Sequence, residues 1–398
     1  MPPQNLRIPG PTPLPDAVRE AGSRQMVAHR GPEFKTLVRR VSEGMQPAFD
    51  TTQAVMLVTS SGTGGLESAV VSFLSPGDAV LAVSIGNFGE RFAAIASAYG
   101  ADVTRLDIDW GDAARPEDVT AAIVAMQAEQ RTPVAVLLTF NETSTGVTNP
   151  LPELGSAIRA AVPDALIVVD GISGIGAMPF HMDAWDLDVV VTGSQKAWMI
   201  PPGLAMAAAS DRAWAAAERA TMPRFYFDLV KHRDALPKGQ TPWTPAVGLF
   251  LQLDAALTLM EAEGLEGIFA RHAACAAAAR AGVTAMGFEL FADPRYASAS
   301  VTSIKVPEGV DWPAFNKELK LRGLVLAGGQ GKLSGRIFRI GHLGEVSVSD
   351  IVSAIDVLEQ GATAIGIDIA PGVGPTAARS AGNAATADTP VAAATAGA

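Results

Sequence analysis

The stretch Ala54-Val-Met-Leu-Val-Thr-Ser-Ser-Gly-Thr-Gly-Gly-Leu-Glu-Ser-Ala-Val-Val-Ser-Phe73 places an apolar run, a glycine-rich turn and a second apolar run in direct succession. The first run, residues 54–58, lacks polar alternation and predicts a buried strand. The second run, residues 66–73, predicts the helix that follows it. Buried strands that alternate with helices are typical of a mainly parallel sheet covered on both faces, so this stretch predicts an α/β fold.

The same pattern continues along the chain. Further buried strands are predicted at residues 78–84, 103–108, 134–139, 166–169, 188–191 and 203–209. Helical patterns lie between most of them, for example at residues 88–99, 116–130 and 151–161. Together with residues 54–58, these segments predict a large domain with a mainly parallel seven-stranded sheet.

A different pattern begins near Pro245. A long helical stretch runs over residues 245–281 and can break at Gly264. Strand-like segments follow at residues 288–292, 300–306 and 336–340, and helices at residues 312–322 and 349–360. These elements indicate a smaller C-terminal α/β domain.

From residue 371 onward the chain is mostly Ala, Gly, Thr, Ser and Pro, which predicts a flexible tail because little apolar surface is available for burial. We therefore divide the chain into four parts. They are an N-terminal segment (1–20), a large domain (21–245), a long connecting helix with a small domain (246–368) and a flexible tail (369–398).

The composition narrows the class of protein. Of the 398 residues, 48% are hydrophobic, which is ample for a large core and excludes overall disorder. The net charge of −11 opposes binding to nucleic acid or to an anionic membrane surface. The single cysteine excludes an internal disulfide and a Cys-rich metal site, and it fits a reducing compartment. No secretory signal or bilayer-spanning run is evident, so we expect a cytoplasmic protein.

A glycine-rich turn at residues 59–65 lies between a predicted strand and a predicted helix. Such a turn lets the backbone approach an anion closely, and a helix N-terminus favours negative charge, so it is a candidate phosphate site. The alternative is an ordinary turn that starts a helix. The turn does not match a dinucleotide-binding motif, because Glu67 stands where the third glycine is required.

Three charged residues are candidates for chemistry. Asp170 ends a buried strand, where open α/β sheets bind ligands, although it could also cap a turn. Lys196 follows another buried strand, where desolvation can lower its pKa and make it a nucleophile, although a solvated lysine is the ordinary alternative. Arg339 shares a strand face with Ile337, so it is part-buried and either binds an anion or forms an internal salt bridge.

Three other features of the sequence do not predict a binding or catalytic site. The loop Gly328-Gly-Gln-Gly-Lys332 does not match a nucleotide-binding loop, because Leu333 follows its lysine. The five histidines show no spacing typical of metal ligands. Cys275 lies among alanines on a helical stretch and is expected to be packed rather than reactive.

Taken in this order and spacing, the candidates resemble the fold-type I enzymes that depend on pyridoxal phosphate (PLP). Five motifs resemble the class V aminotransferases, in particular the alanine/serine–glyoxylate (serine–pyruvate) branch: Pro9-Gly-Pro-Thr12, Ser61-Gly-Thr-Gly-Gly65, Asn141-Glu-Thr-Ser-Thr-Gly146, Gly193-Ser-Gln-Lys196 and Phe338-Arg-Ile-Gly341. The resemblance extends from Leu6 to Gln360.

The resemblance implies a role for each charged candidate. Lys196 would form the Schiff base with PLP and later move a proton. Asp170 would pair with the protonated pyridine nitrogen of the cofactor, which keeps the ring an electron sink. Arg339 would bind the α-carboxylate of the substrate.

The resemblance also implies a set of cofactor-binding residues. Phe88 would stack on the ring, at a position where many relatives have tryptophan, and Thr143 would contact the ring oxygen. The phosphate would be held by Thr63, Gly64, Gly65 and Gln195. In a homodimer with shared active sites, Thr241 and Thr244 would complete the phosphate site from the second subunit.

Two positions differ from some relatives. Thr241 stands where some relatives have tyrosine. Gly65 stands where some alanine–glyoxylate enzymes have histidine, so a side-chain donor near the phosphate is missing. This difference weakens the expectation of an identical amino donor.

The implied activity is transfer of an amino group from L-serine or L-alanine to glyoxylate or pyruvate. The same fold also serves 2-aminoethylphosphonate–pyruvate and ureidoglycine–glyoxylate transaminases, and a non-catalytic binding protein that retains the fold is a further alternative. A cysteine desulfurase needs a nucleophilic cysteine on a mobile loop, which Cys275 does not provide. A nicotinamide-dependent oxidoreductase is disfavoured by Glu67.

Overall fold

The computed structural model describes residues 4–387. Within that range the α-helices are α1 (Asp16–Gly22), α2 (Pro32–Phe49), α3 (Gly62–Phe73), α4 (Asn87–Ala98), α5 (Pro116–Ala128), α6 (Leu151–Ala161), α7 (Asp211–Ala217), α8 (Leu229–Ala235), α9 (Val247–Glu263), α10 (Leu265–Ala285), α11 (Trp312–Leu321), α12 (Val348–Ala364) and α13 (Val373–Ala387). Short 3-10 helices span Leu236–Lys238, Pro294–Tyr296 and Gly331–Leu333. The break predicted at Gly264 separates α9 from α10.

The strands in the same range are β1 (Asn5–Leu6), β2 (Met56–Ser60), β3 (Ala79–Ser84), β4 (Asp102–Asp107), β5 (Ala135–Thr139), β6 (Asn141–Glu142), β7 (Val147–Thr148), β8 (Leu166–Asp170), β9 (Val189–Gly193), β10 (Gly203–Ala209), β11 (Val301–Lys305), β12 (Leu324–Val325), β13 (Ala327–Gly328) and β14 (Ile337–Gly341). The main sheet has seven strands in the order β2-β10-β9-β8-β5-β3-β4. Only β10 runs antiparallel to its neighbours within this sheet, so the predicted mainly parallel seven-stranded sheet is confirmed.

Helices cover both faces of the main sheet. One apolar cluster includes Phe34 of α2 and Phe250 of α9, and the cluster on the other face includes Leu66 of α3 and Phe92 of α4. Helices that connect parallel strands, such as α3 on one face and α6 on the other, bury most of both faces. The buried face of α9, which we predicted as a connecting helix, thus belongs to the core of the large unit.

Gly65 allows α3 to pack directly on the main sheet. A Cβ atom at this position would lie 2.7 Å from Cβ of Ala205 and 2.7 Å from Cγ1 of Val191. Apolar carbon atoms pack at about 3.5–4.0 Å, so a side chain here would push the helix away from β9 and β10. The absence of a side chain therefore holds the N-terminus of α3 close to the edge of the sheet.

A smaller unit follows the long helices. Strands β11, β14 and β13 form an antiparallel sheet with β14 in the centre. The segment predicted as a strand at residues 288–292 contributes a single bridge, between Leu290 and Ile304. The segment ends there because the chain turns into the short helix that begins at Pro294, which has no N–H to continue a strand ladder.

The N-terminal segment joins the two units. Strand β1 pairs in parallel with β12, and the N–H of Gly341 donates to the carbonyl of Arg7 (2.7 Å). A few residues later, the N–H of Thr12 donates to the carbonyl of Gln195 in the loop after β9 (3.2 Å). This segment therefore crosses from the small sheet to the edge of the large one.

The prediction of a flexible tail from residue 369 is wrong for residues 373–387, which form α13 and pack on α10 and α12. Alanine has the highest helix propensity, and small side chains permit close helix packing. Ala378 is fully buried, and the carboxylate of Glu359 accepts the N–H of Gly374 (2.8 Å). The close approach of α13 to its neighbouring helices thus stabilises it without large apolar side chains. The rest of the predicted tail, residues 388–398, lies outside the described part of the chain.

None of the helices within residues 4–387 combines the length and apolar character needed to cross a membrane.

The packing of Gly65 can be tested with a matched pair of substitutions. Gly65→Ala should lower the free energy of unfolding by about 1–3 kcal/mol, because its Cβ overpacks the sheet. Gly267→Ala places the same methyl group on an exposed position of α10 and should raise that energy by up to about 1 kcal/mol. Urea unfolding followed by circular dichroism measures both. Equal stabilities for the two variants would contradict the packing role.

Candidate active site

Five strands of the main sheet lead into one cavity. The cavity has a volume of about 210 Å³ and lies where β2, β3, β5, β8 and β9 end. Because parallel strands end at the same edge, residues distant in the sequence meet there. Six of the predicted site residues line the cavity: Thr63, Phe88, Thr143, Asp170, Gln195 and Lys196.

The N-terminal segment contacts Lys196 and fixes its position. Its Nζ donates to the carbonyl of Pro9, and the hydroxyl of Thr12 donates to the carbonyl of Lys196 (3.1 Å). Gly10 has a φ of +124°, and a Cβ atom there would lie 2.9 Å from Nζ of Lys196. Glycine is therefore required where the chain crosses the lysine.

Burial and the nearby positive charge of Arg339 lower the pKa of Lys196 to about 8. About a tenth of the amine is therefore neutral at pH 7, and this neutral form carries the lone pair that a nucleophile or a general base needs.

Asp170 occupies the end of β8 and is 3% exposed. One carboxylate oxygen accepts the N–H of Ile172 (2.9 Å), and no other hydrogen bond to this carboxylate is found within residues 4–387. Burial raises the pKa of Asp170 to about 7. A buried carboxylate with an open oxygen is stabilised by a cationic partner, so this position favours a ligand with a protonated nitrogen.

The N-terminus of α3 presents free donors to the same cavity. Its first amides, those of Gly62, Thr63 and Gly64, have no acceptor within the helix, and the side chain of Ser61 does not cap them. The carboxamide oxygen of Gln195 is buried without a partner, so this side chain can rotate to present its NH₂ group. Free amides at a helix N-terminus bind phosphate and other anions.

Gly65 does not share this role. Its N–H already donates to the carbonyl of Ser61 (3.1 Å), and its α-carbon faces the sheet rather than the cavity. These contacts give Gly65 a packing role, and its contact with a phosphate stays a prediction, whereas the N–H of Gly64 has no acceptor in the helix.

Arg339 lies at the centre of β14 and is 5% exposed. Its Nε and one terminal nitrogen donate to the carbonyl of Gly328 (3.0 and 2.7 Å), and its other terminal nitrogen donates to the carbonyl of Thr143 (2.8 Å). No carboxylate forms an ion pair with it in the described part of the chain. Burial lowers the pKa of Arg339 to about 10, so the side chain stays charged at neutral pH. Its carbonyl partners orient the guanidinium and leave its charge for an anion.

Glu142 was not predicted as a site residue, although it lies in the motif that contains Thr143. Its buried carboxylate accepts four hydrogen bonds: from the N–H groups of Phe88 (2.9 Å) and Gly89 (3.1 Å), and from the N–H (3.0 Å) and hydroxyl (2.6 Å) of Ser144. Burial raises the pKa of Glu142, whereas these donors stabilise its charged form. Glu142 thus joins the start of α4, which carries Phe88, to the loop that carries Thr143.

Thr241 and Thr244 do not line the cavity of their own chain. Thr241 is buried and its hydroxyl donates to the carbonyl of Trp243 (2.7 Å), while Thr244 is exposed. Their predicted contribution from a second subunit stays a prediction.

Cys275 is buried, and burial raises the pKa of its thiol to about 12, which confirms the expectation of a packed rather than reactive cysteine. Within residues 4–387, no group of three or more His, Cys, Asp or Glu side chains is arranged to hold a metal ion.

These groups fit PLP. The free amides of α3 suit its phosphate, the open carboxylate oxygen of Asp170 suits its protonated ring nitrogen, and Lys196 supplies an amine for its aldehyde. The ring of Phe88 provides an aromatic face in the same cavity.

The hydrogen bonds of Glu142 can be tested by a nearly isosteric change. Glu142→Gln places an NH₂ group against N–H donors and should lower the free energy of unfolding by about 1–3 kcal/mol. Glu129→Gln removes an exposed carboxylate that lies 3.4 Å from Arg131 and should change it by less than about 0.5 kcal/mol. Urea denaturation of both variants measures the difference. A Glu142→Gln protein as stable as Glu129→Gln would show that the four bonds do not hold α4.

Comparisons with known proteins agree with this site. The family described as Aminotransferase class-V matches residues 12–338. The chain is 40% identical to the soluble hydrogenase small subunit of Synechococcus sp. over 94% of this chain and 97% of that protein. It is 40% identical to the L-aspartate–glyoxylate aminotransferase of Paracoccus denitrificans over 94% of each chain. It is 37% identical to the serine–glyoxylate aminotransferase of Methylorubrum extorquens over 94% of this chain and 95% of that one.

A solved structure, the ureidoglycine–glyoxylate aminotransferase of Bacillus subtilis, superimposes with a TM-score of 0.89 at 29% identity, over 96% of this chain and 98% of that one. The family match spans most of the chain, and the cavity contains the lysine, aspartate and free helix amides that fit the cofactor. The chain therefore belongs to the class V aminotransferases and is an enzyme that depends on pyridoxal phosphate.

Proposed function

We propose that the enzyme transfers the amino group of a small L-amino acid, serine or alanine, to glyoxylate or pyruvate. The observation that carries this proposal is the buried guanidinium of Arg339, which two backbone carbonyls orient and which no carboxylate within residues 4–387 neutralises. Such a group fits the α-carboxylate that every amino acid and 2-oxo acid substrate shares.

Lys196 is assigned the proton transfer. When bound, PLP supplies an electron-withdrawing ring that accepts the electron pair released at the Cα atom of the amino acid. Nζ of Lys196, with a pKa of about 8, takes the proton that leaves Cα and holds it for return to the cofactor side. The contact with Pro9 and the crossing at Gly10 fix the direction from which this amine reaches the substrate.

Asp170 is assigned the stabilisation of positive charge on the cofactor ring. Burial raises its pKa to about 7, so about half of the group is ionised at pH 7 and a protonated nitrogen beside it favours the charged form. In turn, the negative charge keeps that nitrogen protonated. The two groups therefore stabilise each other's charged form.

The N-terminal segment is assigned the exclusion of water. Pro9 and Gly10 lie directly against Nζ of Lys196, and Thr12 is tied to the backbone of the same loop. A reacting amine that is shielded from water keeps its lowered pKa.

The proposed assembly is a homodimer with shared active sites, in which Thr241 and Thr244 complete the phosphate site of the other subunit. The motif resemblance supports it, together with the position of both threonines outside their own cavity. We propose a cytoplasmic location, which is supported by a single, buried cysteine in a chain of 398 residues.

The names of the relatives indicate other amino donors that compete with serine and alanine as the substrate. L-aspartate, named for the Paracoccus relative, needs a further cation for its second carboxylate, and ureidoglycine is named for the structural neighbour. 2-Aminoethylphosphonate would need a phosphonate site. One relative is named as a subunit of a soluble hydrogenase rather than as an aminotransferase.

The donor can be identified from the first half of the reaction. The purified enzyme, loaded with PLP, is mixed with L-serine, L-alanine, L-aspartate or 2-aminoethylphosphonate in the absence of any oxo acid. We expect L-serine or L-alanine to change the visible absorption spectrum and to release one oxo acid per active site, and glyoxylate to restore the spectrum. Conversion by L-aspartate or 2-aminoethylphosphonate alone would replace the proposed donor, and no conversion by any of the four amines would contradict the proposed activity.

The role of Arg339 can be tested with one variant and a matched control at Arg336, which lies just before the same strand. Arg339→Ala should lower kcat/KM for the donor by at least about thirtyfold while PLP binding is retained, because a buried charge pair is lost. Arg336→Ala removes an exposed arginine nearby and should leave kcat/KM unchanged. Equal losses of donor and PLP binding in Arg339→Ala would assign this arginine a structural role.

A further inference from the structure

Two cationic side chains line the cavity, Lys196 and Arg91. Lys196 supplies the reacting amine, so its charge is not available to the rest of the cofactor. No motif in the sequence singles out Arg91, which lies on α4 one turn after Phe88.

Arg91 reaches from the ring-binding side of the cavity to the phosphate-binding side. Its guanidinium carbon lies 4.8 Å from the centre of the Phe88 ring, and one terminal nitrogen lies 3.5 Å from the hydroxyl of Thr63. Thr63 is the second residue of α3, whose first amides are free. The guanidinium and the helix N-terminus therefore face the same space.

Arg91 has no acidic partner in the described part of the chain. Within residues 4–387 no carboxylate forms an ion pair with it, whereas Arg105 pairs with Glu90 and Asp107. The helix that carries it is fixed by Glu142, which holds the amides of Phe88 and Gly89.

The phosphate of the cofactor carries close to two negative charges, which dipoles alone do not neutralise. Position 65 offers no side chain, since Gly65 packs on the sheet. We propose that Arg91 is a phosphate ligand of the bound cofactor and supplies the positive side chain at this site. The inference rests on the proposed placement of the phosphate at the N-terminus of α3.

Arg91 should affect binding of the phosphate and not binding of the ring, so two cofactors that differ only in the phosphate provide the test. The apoenzyme and its Arg91→Gln variant are titrated with PLP and with pyridoxal, and binding is followed by visible absorption. We expect Arg91→Gln to raise the dissociation constant for PLP by about tenfold to a hundredfold, the range for hydrogen bonds to a charged group. The dissociation constant for pyridoxal should stay unchanged, and Arg91→Lys should recover part of the affinity for PLP.

Arg379→Gln is the matched control, because it removes an exposed arginine on α13 and should leave both constants unchanged. Thermal unfolding of each apoenzyme verifies that the variants are folded. If Arg91→Gln does not fold, the affinity of Arg91→Lys for PLP still tests the proposal.

Three outcomes overturn the proposal. Equal weakening of PLP and pyridoxal would show that Arg91 acts only through the ring of Phe88. Unchanged PLP affinity with a raised KM for L-aspartate would assign Arg91 to the second carboxylate of a substrate. A wild-type enzyme that binds PLP no more tightly than pyridoxal would refute the placement of the phosphate at α3 itself, independently of the donor experiment.

Discussion

The buried carboxylate of Glu142 is the interaction on which the arrangement of the cavity depends. An uncompensated charge in an interior costs several kcal/mol, so its four donors must stay in place whenever the protein is folded. Two of those donors begin α4, which carries Phe88, and two belong to Ser144, next to the carbonyl that orients Arg339. A single buried charge thus fixes the aromatic face of the cavity and one support of the guanidinium.

The same loop couples the two units of the chain. The side-chain amide of Asn141 donates to the hydroxyls of Ser173 in the large unit (2.7 Å) and Ser300 beside the small sheet (2.9 Å). Arg339 crosses the same boundary from the other side through its bond to Thr143. The proposed site takes Lys196 from the large unit and Arg339 from the small one, and it needs such rigid connections because small displacements of an oriented group reduce rates strongly. Buried hydrogen bonds hold Arg339 against the loop that carries Thr143.

Much of the fold and part of the site could be predicted from the sequence. Apolar runs predicted the strands of the main sheet, and Asp170 was expected at a ligand-binding position because it ends one of them. Glu142 and Arg91 could not be found in this way, since their importance lies in contacts with residues 54 and 28 positions away in the chain. The packing of Gly65 on the sheet was not predicted, because the sequence does not reveal which way a helical glycine faces. Helix α13 was missed because a composition of small residues indicates little apolar area, although it also permits close packing.

The covalent attachment point of the cofactor is the central feature to measure. Sodium borohydride reduction of the purified enzyme loaded with PLP, followed by proteolysis and mass spectrometry, locates any carbon–nitrogen double bond between cofactor and protein. The geometry around Pro9, Gly10 and the lowered pKa of Lys196 predict one phosphopyridoxyl group, attached to Lys196. A label on another lysine, such as Lys332, or an unlabelled Lys196 would contradict the assignment of this cavity as the active site.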